Sequence, residues 1–175
     1  MFSLYIACSQ DYFIADIHGS VDFLTPFEHQ GADYGYSDYY DGVDMVCMGR
    51  HTYEAVRLLA DTWPYAEKPT ILYTHREIKP VHESITIKQW PLATLAHAYT
   101  DKKIWLVGGA HMTMQALDEW VLDEVIMTIV PQKLFDGIHM FGWAENPFEA
   151  GRYKHEELAY PGGVRQIVYK RSLYS

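Results

Sequence analysis

What the 175-residue chain lacks narrows its function before any motif is read. It has only two cysteines, Cys8 and Cys47, both within apolar runs. That excludes a disulfide-stapled fold and predicts buried, reduced thiols. Basic residues are scarce: 14 Lys and Arg against 23 Asp and Glu leave a net charge of −9 and no basic stripe. Nucleic acid is therefore not an expected partner, although one local basic pocket for a phosphorylated cofactor remains open. No apolar run is long enough to span a bilayer, and the N-terminus has no basic segment leading into a long apolar one. A soluble cytoplasmic protein without a membrane partner is expected. The nine histidines form neither H-x-x-x-H nor H-E-x-x-H, and none pairs with cysteine at metal spacing, so no metal site is expected. G-x-S-x-G is absent and Ser9 has no evident histidine base, which leaves a hydrolase unsupported. Both G-x-G-x-x-G and G-x-x-x-x-G-K-[ST] are missing as well, removing the usual dinucleotide fingerprint and the Walker loop.

What is present reads as one globular domain over residues 1–175, with 49% apolar and 21% charged residues. The apolar runs Phe2 to Ser9, Val43 to Met48, Pro69 to Thr74, Ser84 to Lys88, Lys103 to Val107 and Asp123 to Val130 read as strands, several of them buried on both faces. Between them lie helical patterns over Thr52 to Ala60, Leu92 to Tyr99 and His111 to Trp120. Gln10 to Gly19 reads as a loop with Phe13, Ile14 and Ala15 packed beneath it. Pro26 is placed to open a short helical stretch, and Asp33 to cap a helix that Gly42 ends. Gly151 to Leu158 and Val164 to Arg171 flank Pro161-Gly162-Gly163 as an antiparallel hairpin. Strands alternating with helices, followed by a β-rich tail, predict an α/β sheet with parallel crossovers and an antiparallel edge.

In such sheets ligands bind beyond the carboxyl ends of the strands, which here carry Ser9, Gly49-Arg50, Thr74-His75-Arg76 and Gly108-Gly109. These four clusters are expected to line one cleft. At Met48-Gly49-Arg50-His51-Thr52 a strand gives way to a helix through one glycine. A helix start offers free N–H groups and partial positive charge, Arg50 adds a planar fork of donors, and Thr52 adds a hydroxyl. Gly108-Gly109-Ala110 repeats the arrangement with a pair of glycines. The same residues also suit an ordinary strand-to-helix turn. His75 and Arg76 could meet an additional phosphate, such as the one that separates NADPH from NADH. Tyrosine is frequent, at 14 residues, and clusters at Tyr34, Tyr36, Tyr39 and Tyr40. Such a helix can wall a pocket for a flat heterocycle or pack on the sheet with its hydroxyls at the rim.

With these motifs placed, the chain resembles the dihydrofolate reductase superfamily. It is most similar to the bacterial reductase-like branch related to the reductase domain of the bifunctional riboflavin-biosynthesis deaminase/reductase. The resemblance is carried by Met48-Gly49-Arg50-His51-Thr52-Tyr53-Glu54, Val107-Gly108-Gly109, Ile14-Ala15, Gly19-Ser20-Val21-Asp22-Phe23-Leu24 and Tyr34-Gly35-Tyr36. Leu122-Asp123-Glu124-Val125, Ile129-Val130-Pro131 and Asp136-Gly137 add to it, and the set covers most of residues 2 to 141 in order. The resemblance implies a three-layer fold with a mixed, mostly parallel central sheet. It also implies an NADPH-dependent reductase, with a catalytically silent NADPH-binding or sensor module as the alternative. By position it assigns Gly49, Arg50, His51 and Thr52 to phosphate. Thr74, His75 and Arg76 go to the adenosine end, Gly108, Gly109, Ala110, His111 and Met112 to the pyrophosphate, and Ala7 and Ile14 to the nicotinamide.

At the substrate the pattern departs. Folate reductases carry W-x-L-P-x-[DE], whereas this chain has Phe23-Leu24-Thr25-Pro26-Phe27-Glu28, without the tryptophan and with one extra residue. Asp33, Asp22 and Glu28 are the candidate acids, with Asp33 first because it would open the tyrosine-rich helix. A proton-donating carboxyl would need burial to raise its pKa. The expected substrate is a pterin-like or aminopyrimidine heterocycle. A homodimer is expected from the related reductase domains and from the apolar tail residues Tyr153, Tyr160, Val164, Ile167, Val168 and Tyr169.

Overall fold

Alternation along the strands sorts the side chains into two apolar layers. In the computed structural model, which describes residues 1–28 and 33–172, strand β1 (Phe2–Cys8) sends Phe2, Leu4, Ile6 and Cys8 to one face of the sheet and Tyr5 to the other. Strand β2 (Phe13–Ala15) follows, then a 3-10 turn over Asp22–Leu24 and the short helices α1 (Thr25–Glu28) and α2 (Tyr36–Asp41). Strand β3 (Met45–Gly49) repeats the division, with Met45 and Cys47 on the first face and Val46 and Met48 on the second. Helix α3 (Arg50–Leu59) buries Tyr53 on that second face. Strands β4 (Thr70–Tyr73) and β5 (Ile85–Lys88) lead to helix α4 (Leu92–Ala98), which packs Leu92 and Leu95 on the first face. Strand β6 (Ile104–Gly108), helix α5 (Ala110–Asp118) and strand β7 (Leu122–Ile129) complete the parallel part. Strands β8 (Ile138–His139), β9 (Tyr153–Ala159) and β10 (Arg165–Arg171) form the tail.

The main sheet runs β5-β4-β3-β6-β1-β7-β10-β9. The six strands from β5 to β7 pair in parallel, and β10 and β9 close the edge antiparallel. Helices on both faces make three layers, as the sequence led one to expect. Cys8 and Cys47 are both free and fully buried, and burial pushes the Cys8 thiol up to about 12, so neither is a reactive thiolate.

Three details differ from the sequence expectation. The loop after β1 contains strand β2, which pairs with β8 in a separate two-stranded ribbon. Gly137 permits that pairing: its φ is +137°, and a Cβ there would lie 3.0 Å from the Asp16 Cα and closer still to the Ala15 carbonyl oxygen. Helix α2 begins at Tyr36 rather than Asp33, because Tyr34 and Gly35 adopt left-handed backbone ahead of it. In the tail, Tyr153, Val164, Ile167 and Tyr169 are buried within the chain, with Tyr153 and Tyr169 packed on Phe148. They are covered without a partner. The exposed edge strand β9 presents Lys154, His155, Glu156 and Glu157, charges that discourage edge-to-edge pairing.

Candidate functional site

Because β3, β4, β6 and β1 are parallel neighbours, their carboxyl ends share one edge, and three of the four expected clusters, Gly49-Arg50, Thr74-His75-Arg76 and Gly108-Gly109, lie along it. Gly49 ends β3 and Arg50 begins α3; Gly108 ends β6 and Ala110 begins α5. Neither helix start receives a side-chain cap, so the first N–H groups of both point to the cleft edge without a protein acceptor from the capping residue. The two turns lie against each other. A Cβ on Gly109 would sit 3.4 Å from the Thr52 hydroxyl and 3.8 Å from Ile14 Cδ1, while one on Gly49 would sit 3.0 Å from Met112 Cγ. Thr52, Ile14, Gly49, Gly109 and Met112 thus belong to a single cradle. The Gly108–Gly109 peptide is cis.

The charge at this edge is positive on the α3 side. Arg50 makes a forked ion pair with Glu54 one turn along, both contacts 2.8 Å, and also contacts the His51 ring. The Arg50 hydrogen bond holds the Glu54 carboxyl below its usual range, with further help from the charges of His51 and Arg76. Of the three, Arg50 is the one in contact with that carboxylate. Thr74 is buried at the end of β4, and its hydroxyl accepts the Arg76 N–H at 3.0 Å, which fixes the turn from which His75 and Arg76 project. Ala110 is half-buried and His111 exposed at the start of α5. Ser9 is fully buried and committed: its hydroxyl donates to Asp11 at 2.6 Å and accepts from the Phe13 N–H at 2.9 Å. Its role is structural, and it joins neither the cradle contacts nor the cleft lining.

A second region opens on the α2 side of β1 and β7. A cleft of about 500 Å³ is lined by Tyr5, Ala7, Thr128 and Val130 from the sheet and by Leu24, Phe27, Glu28, Asp33, Tyr34 and Tyr36 above it. Ala7, assigned from the sequence to the nicotinamide, lines this cleft, whereas Ile14, assigned with it, lies at the Gly109 turn. Sequence reasoning did not find the polar floor. The amide nitrogen of Gln166 donates to the Tyr34 carbonyl at 2.8 Å, to the Thr128 hydroxyl at 3.0 Å and toward Tyr5 at 3.4 Å. The Tyr5 hydroxyl donates to the Tyr34 carbonyl at 2.8 Å. Burial pushes the Tyr5 phenol up to about 12, so it stays neutral at physiological pH. The single available signal was Gln166 directly before the apolar run Ile167-Val168-Tyr169.

The tyrosine-rich segment divides its work. Tyr34 and Tyr36 wall the cleft, whereas Tyr39 and Tyr40 pack on Trp105. The Tyr39 hydroxyl shares a 2.7 Å hydrogen bond with Ser3.

The three candidate acids lack the burial that proton donation was expected to require: Asp22, Glu28 and Asp33 are all exposed. Glu28 and Asp33 line the cleft; Asp22 is not among its lining residues and sits in the preceding 3-10 turn. The Asp33 carboxylate accepts the Gly35 N–H at 2.9 Å and the Ser37 N–H at 3.1 Å. These bonds, the one from Gly35 foremost, hold its pKa below the usual carboxylate range. Asp33 thus serves as the cap of α2 from a position outside the helix, and it is held ionised rather than loaded with a proton. Among the described residues no group of three or more His, Cys, Asp or Glu side chains could hold a metal ion. No helix among them is long and apolar enough to cross a membrane.

The three-layer sheet, the paired glycine turns and the cleft beside β1 define a dihydrofolate reductase-like fold. No family model matches the chain. It is 40% identical over 141 residues to the uncharacterized protein YwjB of Bacillus subtilis strain 168, covering 79% of this chain and 80% of that one. The chain belongs to the YwjB family. Among solved structures, a protein assigned to riboflavin biosynthesis from Shewanella sp. PV-4 superposes with a TM-score of 0.80 over 98% of both chains at 23% identity. A diaminohydroxyphosphoribosylaminopyrimidine deaminase/5-amino-6-(5-phosphoribosylamino)uracil reductase from Thermotoga maritima gives 0.74 at 12% identity, and RibD of Acinetobacter baumannii gives 0.68 at 14%. This chain spans 56% and 57% of those two longer proteins. At these identities the likeness is one of fold.

Proposed function

We propose that the protein is an NADPH-dependent reductase of a small, flat heterocycle. The observation that carries this reading is the convergence of two uncapped helix starts on one cradle, with Arg50 and His51 at the first of them and an aromatic cleft lined by Ala7 on the neighbouring strands. The residues fit a phosphorylated dinucleotide. Glycines at positions 49 and 109 let backbone approach closely, and the free N–H groups and helix dipoles suit phosphate oxygens. Arg76 and His75, which project from the turn after β4, are the groups proposed to meet a further phosphate. When bound, NADPH supplies hydride to an unsaturated carbon. The chain's own part is to orient the two reactants: Ala7 and Ile14 leave a flat apolar seat between cradle and cleft, and Tyr5, Tyr34 and Tyr36 hold the heterocycle beside it. With Asp33 committed as a cap, water reaching the open cleft is the proposed proton source.

A second reading, a silent NADPH-binding or sensor module, is favoured by one observation: no acid lining the described cleft is buried. Titration with NADPH, followed by its oxidation across a panel of dihydropterins and aminopyrimidines, separates the two. A rise in melting temperature with turnover of one panel member supports the reductase. A rise without turnover on the whole panel supports the sensor, and no rise at all contradicts both.

Pairing of two copies, in the cytoplasm, is proposed from the resemblance alone, since the apolar tail residues are already covered. Light scattering at micromolar concentration tests the pairing, and a clean monomer rejects it.

A further inference from the structure

The first 49 residues contain eight Asp and Glu and not one Lys or Arg; Arg50 is the first basic residue apart from histidine. The structure turns this imbalance into a property of the cleft, because most of the lining comes from that stretch. Of the ten described lining residues, two are carboxylates at the rim, Glu28 and Asp33, and none is Lys, Arg or His. Asp33 is held ionised by its capping bonds, so its charge persists through the physiological range.

Two described lysines near the same sheet face are engaged. Lys68 donates to the Val43 carbonyl at 2.6 Å and lies over the Tyr40 ring. Lys103 pairs with Glu124 and lies over Tyr39. Arg165 neighbours Gln166 in β10, but alternation sends it to the opposite face, where it pairs with Glu157. Inside the cleft the surroundings are aromatic rings and a polar floor. Thr128, itself buried, accepts there from Gln166.

We infer that the cleft takes a flat nitrogen heterocycle that is neutral or cationic and carries no phosphate. A phosphate group in this cleft would face two carboxylates and find no basic side chain among the described lining residues, which is repulsion without compensation. A flat ring stacks between tyrosines without that penalty, and a protonated ring nitrogen gains from Glu28 and Asp33. The phosphoribosylated aminopyrimidine named for the Thermotoga maritima protein is therefore the wrong charge type for this site. The inference rests on reading the cleft as the substrate side of the proposed reductase, but it concerns binding and is testable apart from turnover.

The test uses a matched pair, 5-amino-6-(ribosylamino)uracil and its 5-phosphate, titrated into the full chain with and without NADPH and followed by quenching of protein fluorescence. The unphosphorylated compound is expected to bind at least about tenfold more tightly than the phosphate, with the ratio shrinking as salt is raised. Glu28→Lys, a change at an exposed helix end, should narrow the ratio while leaving the melting temperature unchanged. Equal or tighter binding of the phosphate overturns the inference. If neither compound binds at millimolar concentration, the assignment to this heterocycle class falls. Loss of NADPH binding or turnover with the ratio intact would defeat the reductase reading and leave the charge assignment standing.

Discussion

The two regions that meet at β1 differ in almost every physical respect. The cradle at Gly49 and Gly109 is built from backbone, with two uncapped helix starts and basic side chains near Glu54. The cleft beneath Tyr34 and Tyr36 is built from side chains, with rings for walls, a Gln166–Thr128–Tyr5 floor and carboxylates at the rim. A backbone cradle recognises what many ligands share, a phosphate, and needs little from any one side chain. A side-chain cleft recognises what is particular to one ligand, so here the chain departs from the folate pattern while keeping the glycine turns. On the proposed reading, cofactor class and substrate class rest on different kinds of residue and can be broken separately.

The largest expected effect comes from the β2–β8 ribbon, the seam that carries Ile14. Gly137→Ala would force a left-handed backbone on alanine and drive its Cβ into the Ala15–Asp16 backbone, next to Ile14. A loss of about 3 kcal/mol is expected, read by denaturant unfolding, with both ligands weakened because the seam moves. Unchanged stability would show that the β2–β8 ribbon does not hold the seam.

Arg50→Ala comes next and should separate the regions. NADPH binding should weaken by about 1.5–3 kcal/mol, the scale of lost charge-assisted hydrogen bonds, with heterocycle binding unchanged. An equal loss for both ligands would mean that the two sites are one.

A smaller effect concerns Asp11, which ties Ser9 to the segment at Leu134 and Phe135. Burial pushes its carboxyl up, but the Ser9 hydroxyl and the Phe135 and Leu134 N–H groups outweigh this and hold it below the usual range. A depressed folded pKa gives stability that is complete above the ordinary carboxylate value of about 4 and is lost as pH falls through the folded value. Asp11→Ala should therefore cost about 1–2 kcal/mol at neutral pH and progressively less in acid, measured by melting at several pH values. A cost independent of pH would place the loss in packing instead.

The smallest change is expected for Asp33→Asn. Asparagine caps a helix about as well as aspartate, so stability should move by no more than about 0.5 kcal/mol and turnover should stay near wild type. Unchanged NADPH affinity with a large loss of turnover would restore Asp33 as the proton donor.

Much of the sheet was legible because its strands are buried on both faces and so read as continuous apolar runs: Leu4 to Cys8, Val46 to Met48 and Ile104 to Val107 stand out without any partner in view. The two glycine turns were legible for the same local reason, a strand ending at glycine just before a helical pattern. Strands β2 and β8 were not, since three and two residues carry no periodicity and their pairing depends on Gly137 meeting Ala15 across more than a hundred residues. The start of α2 was misplaced because Asp33 caps from outside the helix, beyond two left-handed residues. The cleft floor was hidden because Tyr5, Thr128 and Gln166 come together only when β1, β7 and β10 lie side by side. The exposure of Asp22, Glu28 and Asp33 was equally out of reach, since the burial of an acid depends on neighbours that spacing does not name.

The central claim is that the strand-end turns hold a phosphorylated dinucleotide and discriminate by its extra phosphate. Calorimetric titration of the wild-type chain with NADPH and then NADH, repeated on Arg76→Ala, tests it most directly. The account predicts one site per chain, tighter binding of NADPH than of NADH, and loss of that advantage in the variant. Absence of binding by either nucleotide, or an NADPH preference untouched by Arg76→Ala, would contradict it.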